Sequence, residues 1–448
     1  MAGFHAAVLA AGQGTRMKSA LPKVLHPLAG APMVTHVLRA ATEAGATRCS
    51  AVIPPDAAGF DRLKTPVETR LFVQKERLGT AHAVLAARDA LEGETAPVLV
   101  IFGDTPLVTP QSLRRLAGAI EGGAKLAVAG FRARDPKGYG RLVSAPDGGF
   151  LAIREEKDAN EEERRIDLCN SGIMAFDGKV LLGLLDRIGN NNKAGEYYLT
   201  DAVELARADG LRVACEIVGE DEVRGVNTRA QLAEAEAILQ GRLRARAMEG
   251  GATLIAPGTV TFSYDTVIGQ DVLIEPNVFF GLGVTVGDNV TIRAFCHFEA
   301  TAIEEGATVG PFARMRPGAR IGPNAHIGNF VEIKNSHIKP GAKVNHLSYI
   351  GDAEVGEKAN IGAGAITCNY DGHKKHKTVI GAGAFIGSNS SLVAPVRIGD
   401  GAYLGSGSVI SRDVPNDALA VTRAPLVTRE GWAAHQRAKM QAAKGEKK

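Results

Sequence analysis

Cysteine is scarce in this chain and poorly placed for joint work. The five present, Cys49, Cys169, Cys215, Cys296 and Cys368, are odd in number and widely spaced, with no Cys-x-x-Cys among them. That pattern argues for reduced thiols and against a disulfide framework or a cysteine zinc site. Aromatic residues make up only 5% of the chain, a poor supply for a base-stacking surface. Charge of either sign is not in excess: 52 Lys and Arg face 49 Asp and Glu, a net of +3. No electrostatic bias therefore points to nucleic acid or to a membrane surface. No apolar run approaches the ~18 residues of a membrane span. The opening Met-Ala-Gly-Phe-His also lacks the basic segment of a secretory signal. These absences describe a cytoplasmic protein with no nucleic-acid partner and no membrane span.

Glycine, by contrast, is abundant at 53 of 448 residues, well above the ~7% of ordinary chains. The length suits two or three domains. Residues 1–226 alternate short apolar runs with helical periodicity. Strands are predicted at residues 6–11, 50–53, 98–102 and 126–131, and helices near 32–45, 80–91, 110–120 and 199–208. Such alternation predicts an α/β domain with a largely parallel sheet. Residues 228–248 have a helical period and good helix formers, and read as a linker helix. The expected division is therefore 1–227, 228–248 and 249–448.

Beyond residue 252 the period becomes six. Apolar residues stand at Ile268, Ile274, Phe280, Val286, Ile292 and Phe298, then after a step of five at Ile303, Val309, Met315, Ile321, Ile327 and Ile333. Ile338, Val344, Ile350, Val355 and Ile361 continue the series, which returns at Ile380 and runs through Ile386, Leu392, Ile398 and Leu404 to Ile410. One apolar residue per six, followed by small residues, predicts a triangular coil of stacked turns with the apolar positions pointing inward. The hexads fail over the polar residues 368–377. A segment of that kind is expected to leave the wall as a loop, and expelled loops often carry function.

The first strand leads into Leu9-Ala10-Ala11-Gly12-Gln13-Gly14-Thr15-Arg16-Met17, followed by Leu21-Pro22-Lys23. Glycines let backbone N–H groups approach phosphate, and Arg16 and Lys23 can neutralise it. Met17 stands where a dinucleotide fingerprint needs a third glycine, and the Gly-Lys-Ser/Thr of a P-loop is absent. A second apolar strand ends in Phe102-Gly103-Asp104. A carboxylate at that end of an α/β strand is placed to hold Mg²⁺ against phosphate. The glycine loop with its Arg and Pro-Lys resembles the sugar-1-phosphate nucleotidyltransferases.

Further pieces extend the resemblance: Gln74 with Leu78-Gly79-Thr80, Gly138-Tyr139-Gly140-Arg141, Glu155-Glu156-Lys157-Asp158, Asn170-Ser171-Gly172, Gly195 through Asp201, and Gly225-Val226-Asn227. In the second half stand Arg314-Met315-Arg316, Gly328-Asn329-Phe330-Val331-Glu332-Ile333-Lys334, Asn345-His346-Leu347-Ser348-Tyr349 and Asn360-Ile361-Gly362-Ala363, with Cys368-Asn369-Tyr370-Asp371-Gly372 in the loop. Nearly the whole chain is similar, in order, to the bifunctional N-acetylglucosamine-1-phosphate uridyltransferase / glucosamine-1-phosphate N-acetyltransferase family of bacteria. That resemblance implies a Rossmann-like nucleotidyltransferase domain joined to a left-handed parallel β-helix. It implies synthesis of UDP-N-acetylglucosamine, the precursor for peptidoglycan and lipopolysaccharide, from UTP, acetyl-CoA and glucosamine-1-phosphate by way of N-acetylglucosamine-1-phosphate. It further implies Mg²⁺ and a homotrimer.

Carried over by resemblance, Leu9, Ala10, Ala11, Gly12, Lys23, Gln74, Gly79 and Thr80 line the uridine nucleotide, with Phe102 and Gly103 beside it. Asp104 and Asn227 hold the metal, and Gly140, Glu155 and Asn170 contact the amino sugar. Phe102 departs from the tyrosine the family pattern leads one to expect, so a hydroxyl contact is lost there. In the second half the resemblance assigns Arg316, Lys334, Tyr349 and Asn360 to the sugar phosphate. It assigns Ala363, Asn369, Tyr370, Ser388, Ser406 and Arg423 to acetyl-CoA.

Acetyl transfer needs a neutral amine, so a base titrating near neutrality is useful, and histidine is the natural choice. Eleven histidines are available. His373 and His376 lie in the Lys-rich loop and read as solvated, and His326 and His337 read as surface positions. The resemblance selects His346. The basic last 18 residues read as a solvated tail, helical at its start, with Trp432 a candidate anchor. Two rivals remain: a nucleotidyltransferase whose β-helix only regulates or oligomerises, and an inert trimeric scaffold.

Overall fold

The computed structural model describes residues 3–445 apart from 57, 61–62, 64–66 and 145–149. The described chain divides into two compact units, residues 1–245 with 262–264, and residues 246–261 with 265–448.

The first unit is an α/β sandwich around one twisted sheet. Across it the strands run Val213–Ile217, Leu126–Arg132, Leu168–Asp177, Pro97–Phe102, Phe4–Leu9, Ala46–Ile53 and Thr69–Val73. Every neighbour pair along this path is parallel except those made by Leu168–Asp177, which runs antiparallel to both its neighbours. The central strands are apolar on both faces because helices cover both. Met33–Ala44 and Pro110–Glu121 pack on one side, and Thr80–Leu85, Gly178–Leu185 and Ala202–Ala208 on the other. The helix predicted over 80–91 is two short helices, Thr80–Leu85 and Arg88–Leu91. The strands Thr69–Val73, Leu168–Asp177 and Val213–Ile217 and the helix Gly178–Leu185 escaped the sequence reading. The first and third of these strands carry charged residues at the sheet's edges, where no continuous apolar run is required.

The helix Arg229–Glu249 buries Leu232, Ala235, Ile238 and Leu239 against Leu28, Met33, Leu107 and Val226. Arg242 donates to the Leu107 carbonyl at 2.7 Å. Most of this helix thus belongs to the first unit's own packing.

The second unit is a coil of very short parallel strands in three sheets, of ten, nine and eight strands. Except at the last turn, each strand pairs with the strand three further along, so successive turns stack. This is the left-handed β-helix of hexapeptide repeats. Of the inward positions read from the period, all from Ile274 to Ile410 are buried, and Ile268 at the start is half-buried. The hexad that appeared to fail is filled: Thr367 lies six residues after Ile361, points inward and pairs with Leu392. Its hydroxyl accepts from the Gly351 N–H at 2.8 Å, which is why a polar residue is tolerated there. The expelled loop therefore follows Cys368, and the chain re-enters the wall at Thr378–Ile380. Its ends are joined by the Tyr370–Lys375 bridge.

Several corners of the coil take positive φ without glycine. Phe295, Phe312 and Phe330 do so at φ 61°, 56° and 55° and stack on one another at 5.0 Å between centroids. Stacking offsets part of the cost of a left-handed backbone at a bulky residue.

The C-terminal segment forms the helix Trp432–Gly445. Trp432 is 55% exposed, so it does not act as an anchor within the chain. Residues 446–448 of the predicted tail lie outside the described part.

Candidate active sites

In the first unit, the C-terminal ends of Phe4–Leu9 and Pro97–Phe102 lie side by side, and the Gly103 N–H donates to the Leu9 carbonyl at 2.9 Å. A cavity of about 290 Å³ opens there, lined by Leu9, Ala11, Gly12, Lys23, Gln74, Gly79, Thr80, Phe102 and Asp104. Nine of the residues predicted from sequence thus share one wall. Ala10 and Gly103 adjoin it as chain neighbours of lining residues, and Asn227 through its side-chain oxygen on Lys23. The loop's glycines have distinct reasons. A Cβ on Gly14 would lie 2.5 Å from the Lys23 Cβ, and one on Gly79 would lie 2.4 Å from the Tyr197 carbonyl. Both residues also hold positive φ. Gln74 is buried and donates to the Gly79 carbonyl at 3.3 Å, while Thr80 Oγ1 accepts from the Leu199 N–H at 2.9 Å. The Gly195–Asp201 segment is thereby pinned to this pocket.

Lys23 is buried, and its Nζ bridges Asp104 Oδ2 and Asn227 Oδ1, the latter at 2.8 Å. The Val226 N–H donates to the Asp104 carbonyl at 2.9 Å, which brings the two oxygens together across the chain. One carboxylate and one carboxamide oxygen converge on a cation. A hard divalent ion sharing its shell with phosphate oxygens and water wants this donor type. No larger His, Cys, Asp and Glu cluster exists among the described residues. The site therefore fits a metal carried in with a nucleotide rather than a protein cage.

Arg16 lies exposed in the short helical turn Thr15–Met17 and does not line the cavity. Arg77, which the sequence reading missed, does line it and donates Nε–H to the Ala11 carbonyl at 2.9 Å. Its only signal was an unassigned cation inside the Gln74 to Thr80 motif.

The three residues expected to contact the amino sugar, Gly140, Glu155 and Asn170, form a second group next to Phe102. The Asn170 N–H donates to the Gly140 carbonyl at 2.8 Å, and a Cβ on Gly140 would sit 3.3 Å from Glu155 Oε1. Phe102 packs against Gly172, where a Cβ would meet its ring at 2.6 Å, so this residue joins the two groups. Burial raises the Glu155 pKa, opposed by the Thr200 hydroxyl.

In the second unit, Lys334 pairs with Asp352 at 3.4 Å, and Asn369 donates to Asp352 at 2.5 Å and to the Tyr349 hydroxyl at 3.4 Å. Arg316 pairs with Glu332 at 2.9 Å. Lys375, exposed on the loop, lies close to Lys334, whose ammonium lowers its pKa, opposed by Asp352 and aided by Arg316. Lys375 is a second residue missed, because nothing in a Lys-rich run marks which lysine turns back. His376, read as solvated, is partly exposed and also donates from Nε2 to Asp371 at 2.6 Å, which braces the loop.

His346 ends a strand of the ten-stranded sheet and opens onto a cavity of about 410 Å³ with Arg293, His326, Asn329 and Lys343. Leading from it, the Gly364 N–H donates to the His346 carbonyl, the Asn389 N–H to Ala363 and the Gly407 N–H to Ser388. A Cβ on Gly405, just before Ser406, would lie 3.5 Å from an Arg423 guanidinium nitrogen. His346, Ala363, Ser388, Ser406 and Arg423 thus follow one corner of the coil. Asn369 and Tyr370 lie at another, beyond the nine-stranded sheet. Asn360 lies on the ten-stranded sheet between Lys343 and Phe385, apart from the Lys334 group.

A nucleotide pocket at the carboxyl ends of an α/β sheet, followed by a hexapeptide coil with a histidine and a cation cluster, defines a chain of two transferases. Residues 6–166 match the MobA-like NTP transferase domain, and residues 265–300, 300–335 and 377–412 match the bacterial transferase hexapeptide of six repeats. The chain is 60% identical to the bifunctional protein GlmU of Azorhizobium caulinodans over 435 residues, 96% of each chain. It is 58% identical to that of Xanthobacter autotrophicus over 441 residues, 98% of each chain. The chain belongs to the GlmU family. It is a bifunctional enzyme, a uridyltransferase and an acetyltransferase in one polypeptide, and the nucleotidyltransferase reaction uses a divalent metal. No helix among the described residues is long and apolar enough to cross a membrane.

Proposed function

We propose that this protein, in the cytoplasm and as a homotrimer, acetylates glucosamine-1-phosphate from acetyl-CoA and then transfers uridylyl from UTP to the product. Residues 1–227 carry the second reaction and residues 249–448 the first, with 228–248 between them. The observation that supports the first site most directly is the convergence of Lys23, Asp104 and Asn227 at the mouth of the nucleotide pocket.

In uridylyl transfer the sugar phosphate is already an anion, so no general base is needed. The need is alignment and charge neutralisation as pyrophosphate leaves. Leu9, Ala10, Ala11 and Gly12 carry the nucleotide, with Gln74, Gly79 and Thr80 around the base. Gly140, Glu155 and Asn170 hold the amino sugar. Lys23 and Arg16 balance the phosphates, Arg16 from the mobile-length side chain of an exposed turn. Asp104 and Asn227 would hold Mg²⁺, which when bound supplies positive charge to the phosphate oxygens.

In acetyl transfer Arg316 and Lys334 receive the sugar phosphate, with Tyr349 and Asn360 on the sugar. His346 is the base, and Ala363, Ser388, Ser406 and Arg423 run along acetyl-CoA. Asn369 and Tyr370 complete that set from a different corner of the coil, an arrangement that a site between copies of the chain accommodates. The test is a paired assay on one preparation. Thiol release from acetyl-CoA should require glucosamine-1-phosphate, and pyrophosphate release from UTP should require N-acetylglucosamine-1-phosphate and Mg²⁺. Absence of the thiol signal would favour a regulatory coil.

A further inference from the structure

Asn329 and His346 are register partners on adjacent turns of the coil. Their approach is set by the backbone. A Cβ on Gly328 would lie 1.8 Å from the Asn345 carbonyl oxygen, so only glycine lets these turns close at that point. The Leu347 N–H then donates to the Asn329 carbonyl at 3.1 Å, and the Gly364 N–H to the His346 carbonyl at 3.1 Å. Held in this way, Asn329 Oδ1 lies 2.6 Å from His346 Nδ1. Among the described residues it is the ring's hydrogen-bond partner. The other charged or titratable groups lining the cavity are Arg293, His326 and Lys343, with no carboxylate.

A carboxamide oxygen only accepts, so the shared proton resides on Nδ1 and the lone pair on Nε2. We propose that Asn329 is the positioning residue of acetyl transfer, holding His346 in its Nδ1-protonated tautomer with Nε2 free toward substrate. This rests on the reading of His346 as the base. The amine nitrogen attacks the thioester carbon, the C–N bond forms and the C–S bond breaks. Nε2 takes the proton from nitrogen, and the imidazolium returns it to the departing thiolate. With the other tautomer, Nε2 would carry a hydrogen and could accept nothing.

Three variants and one spectrum test this. Asn329→Leu keeps the volume and removes the acceptor, and Asn329→Asp keeps the acceptor. The Leu variant should lower kcat for acetyl transfer about 10–100-fold, the usual effect of losing an orienting partner, with KM for both substrates unchanged. The Asp variant should recover most of the turnover. Asn329→Asp as impaired as Asn329→Leu, or a loss carried in KM, would make the residue a packing or binding group and overturn the proposal. Full turnover in Asn329→Leu while His346→Ala is impaired would overturn it and leave the base assignment standing. Unimpaired His346→Ala would remove the base assignment itself. The ¹⁵N spectrum of the parent's histidines, assigned through His346→Ala, needs no Asn329 variant. Nδ1 should be the protonated nitrogen of neutral His346, and an Nε2-protonated ring would overturn the proposal.

Discussion

Lys23 occupies the point that the metal reading also claims, between Asp104 and Asn227. A divalent cation held there would compete with the ammonium for the same two oxygens, and the half-buried Asp104 carboxylate is the charged member of that pair. Asp104→Ala should abolish uridylyl transfer while acetyl transfer on the same preparation persists. Retention of most uridylyl turnover at saturating Mg²⁺ would remove Asp104 from the metal site. His346→Ala should lower acetyl turnover by about 10²–10⁴-fold, the range for a positioned general base, and leave uridylyl transfer unchanged. Rising pH should recover part of the loss as solvent deprotonates the amine. A third residue, Asp201, has its pKa raised from 3.8 to about 6 by burial and by Glu204 and Asp158, against Arg154. The folded state thus holds this proton more tightly than the unfolded chain, so stability falls as pH rises from about 4 to about 6 and then levels. Asp201→Asn should raise the melting temperature of the first unit near pH 7.5 and change it little below pH 4. Thermal unfolding with equal shifts at both pH values would contradict this.

At the scale of elements, the coil derives its stability from one inward side chain per side, stacked on its neighbours in three columns. Thr367 is the polar member, tolerated because its hydroxyl serves the Gly351 N–H at 2.8 Å and donates to the Gly351 carbonyl at 3.1 Å. Thr367→Val preserves shape but strands a buried backbone donor, a loss of about 1–3 kcal/mol. The coil's unfolding midpoint in denaturant should fall accordingly, and a variant as stable as the parent would mean that another group takes over the bond. The expelled loop is braced differently, by Asp371, which accepts from the Lys374 and His373 N–H groups and from His376. Lys375 follows directly in this braced loop and lies close to Lys334.

For the whole molecule, two units with separate cores should carry separable activities. The helix Arg229–Glu249 packs its apolar residues on the first unit, so the stable boundary lies beyond residue 227. A fragment of residues 1–249 should make UDP-N-acetylglucosamine from UTP and N-acetylglucosamine-1-phosphate, and should melt higher than one of residues 1–227, which exposes Leu28, Met33 and Leu107. A folded 1–249 fragment without uridylyl transfer would refute the modular reading. The residues proposed for acetyl-CoA divide between two corners of the coil, which a closed trimer can reunite. Sedimentation should show three copies, and a monomer with full acetyltransferase activity would rule out a shared site.

Periodicity is a local property, and it carried the coil, the inward positions and the α/β alternation, since burial every sixth residue or along a whole strand must be written into the chain. The resemblance motifs likewise reached the residues that line the cavity at the sheet's carboxyl ends, because a glycine forced by a close backbone approach has no substitute. What only tertiary structure decided concerns residues whose partners lie far along the chain: Thr367 standing in for an aliphatic residue, Arg77 over the glycine loop, Lys375 folded back on Lys334, and Asn329 behind His346. Their side chains carry no local demand that a sequence pattern can express. The packing of the α/β unit creates the Arg77 contact and the stacking of one coil turn on the next creates the others.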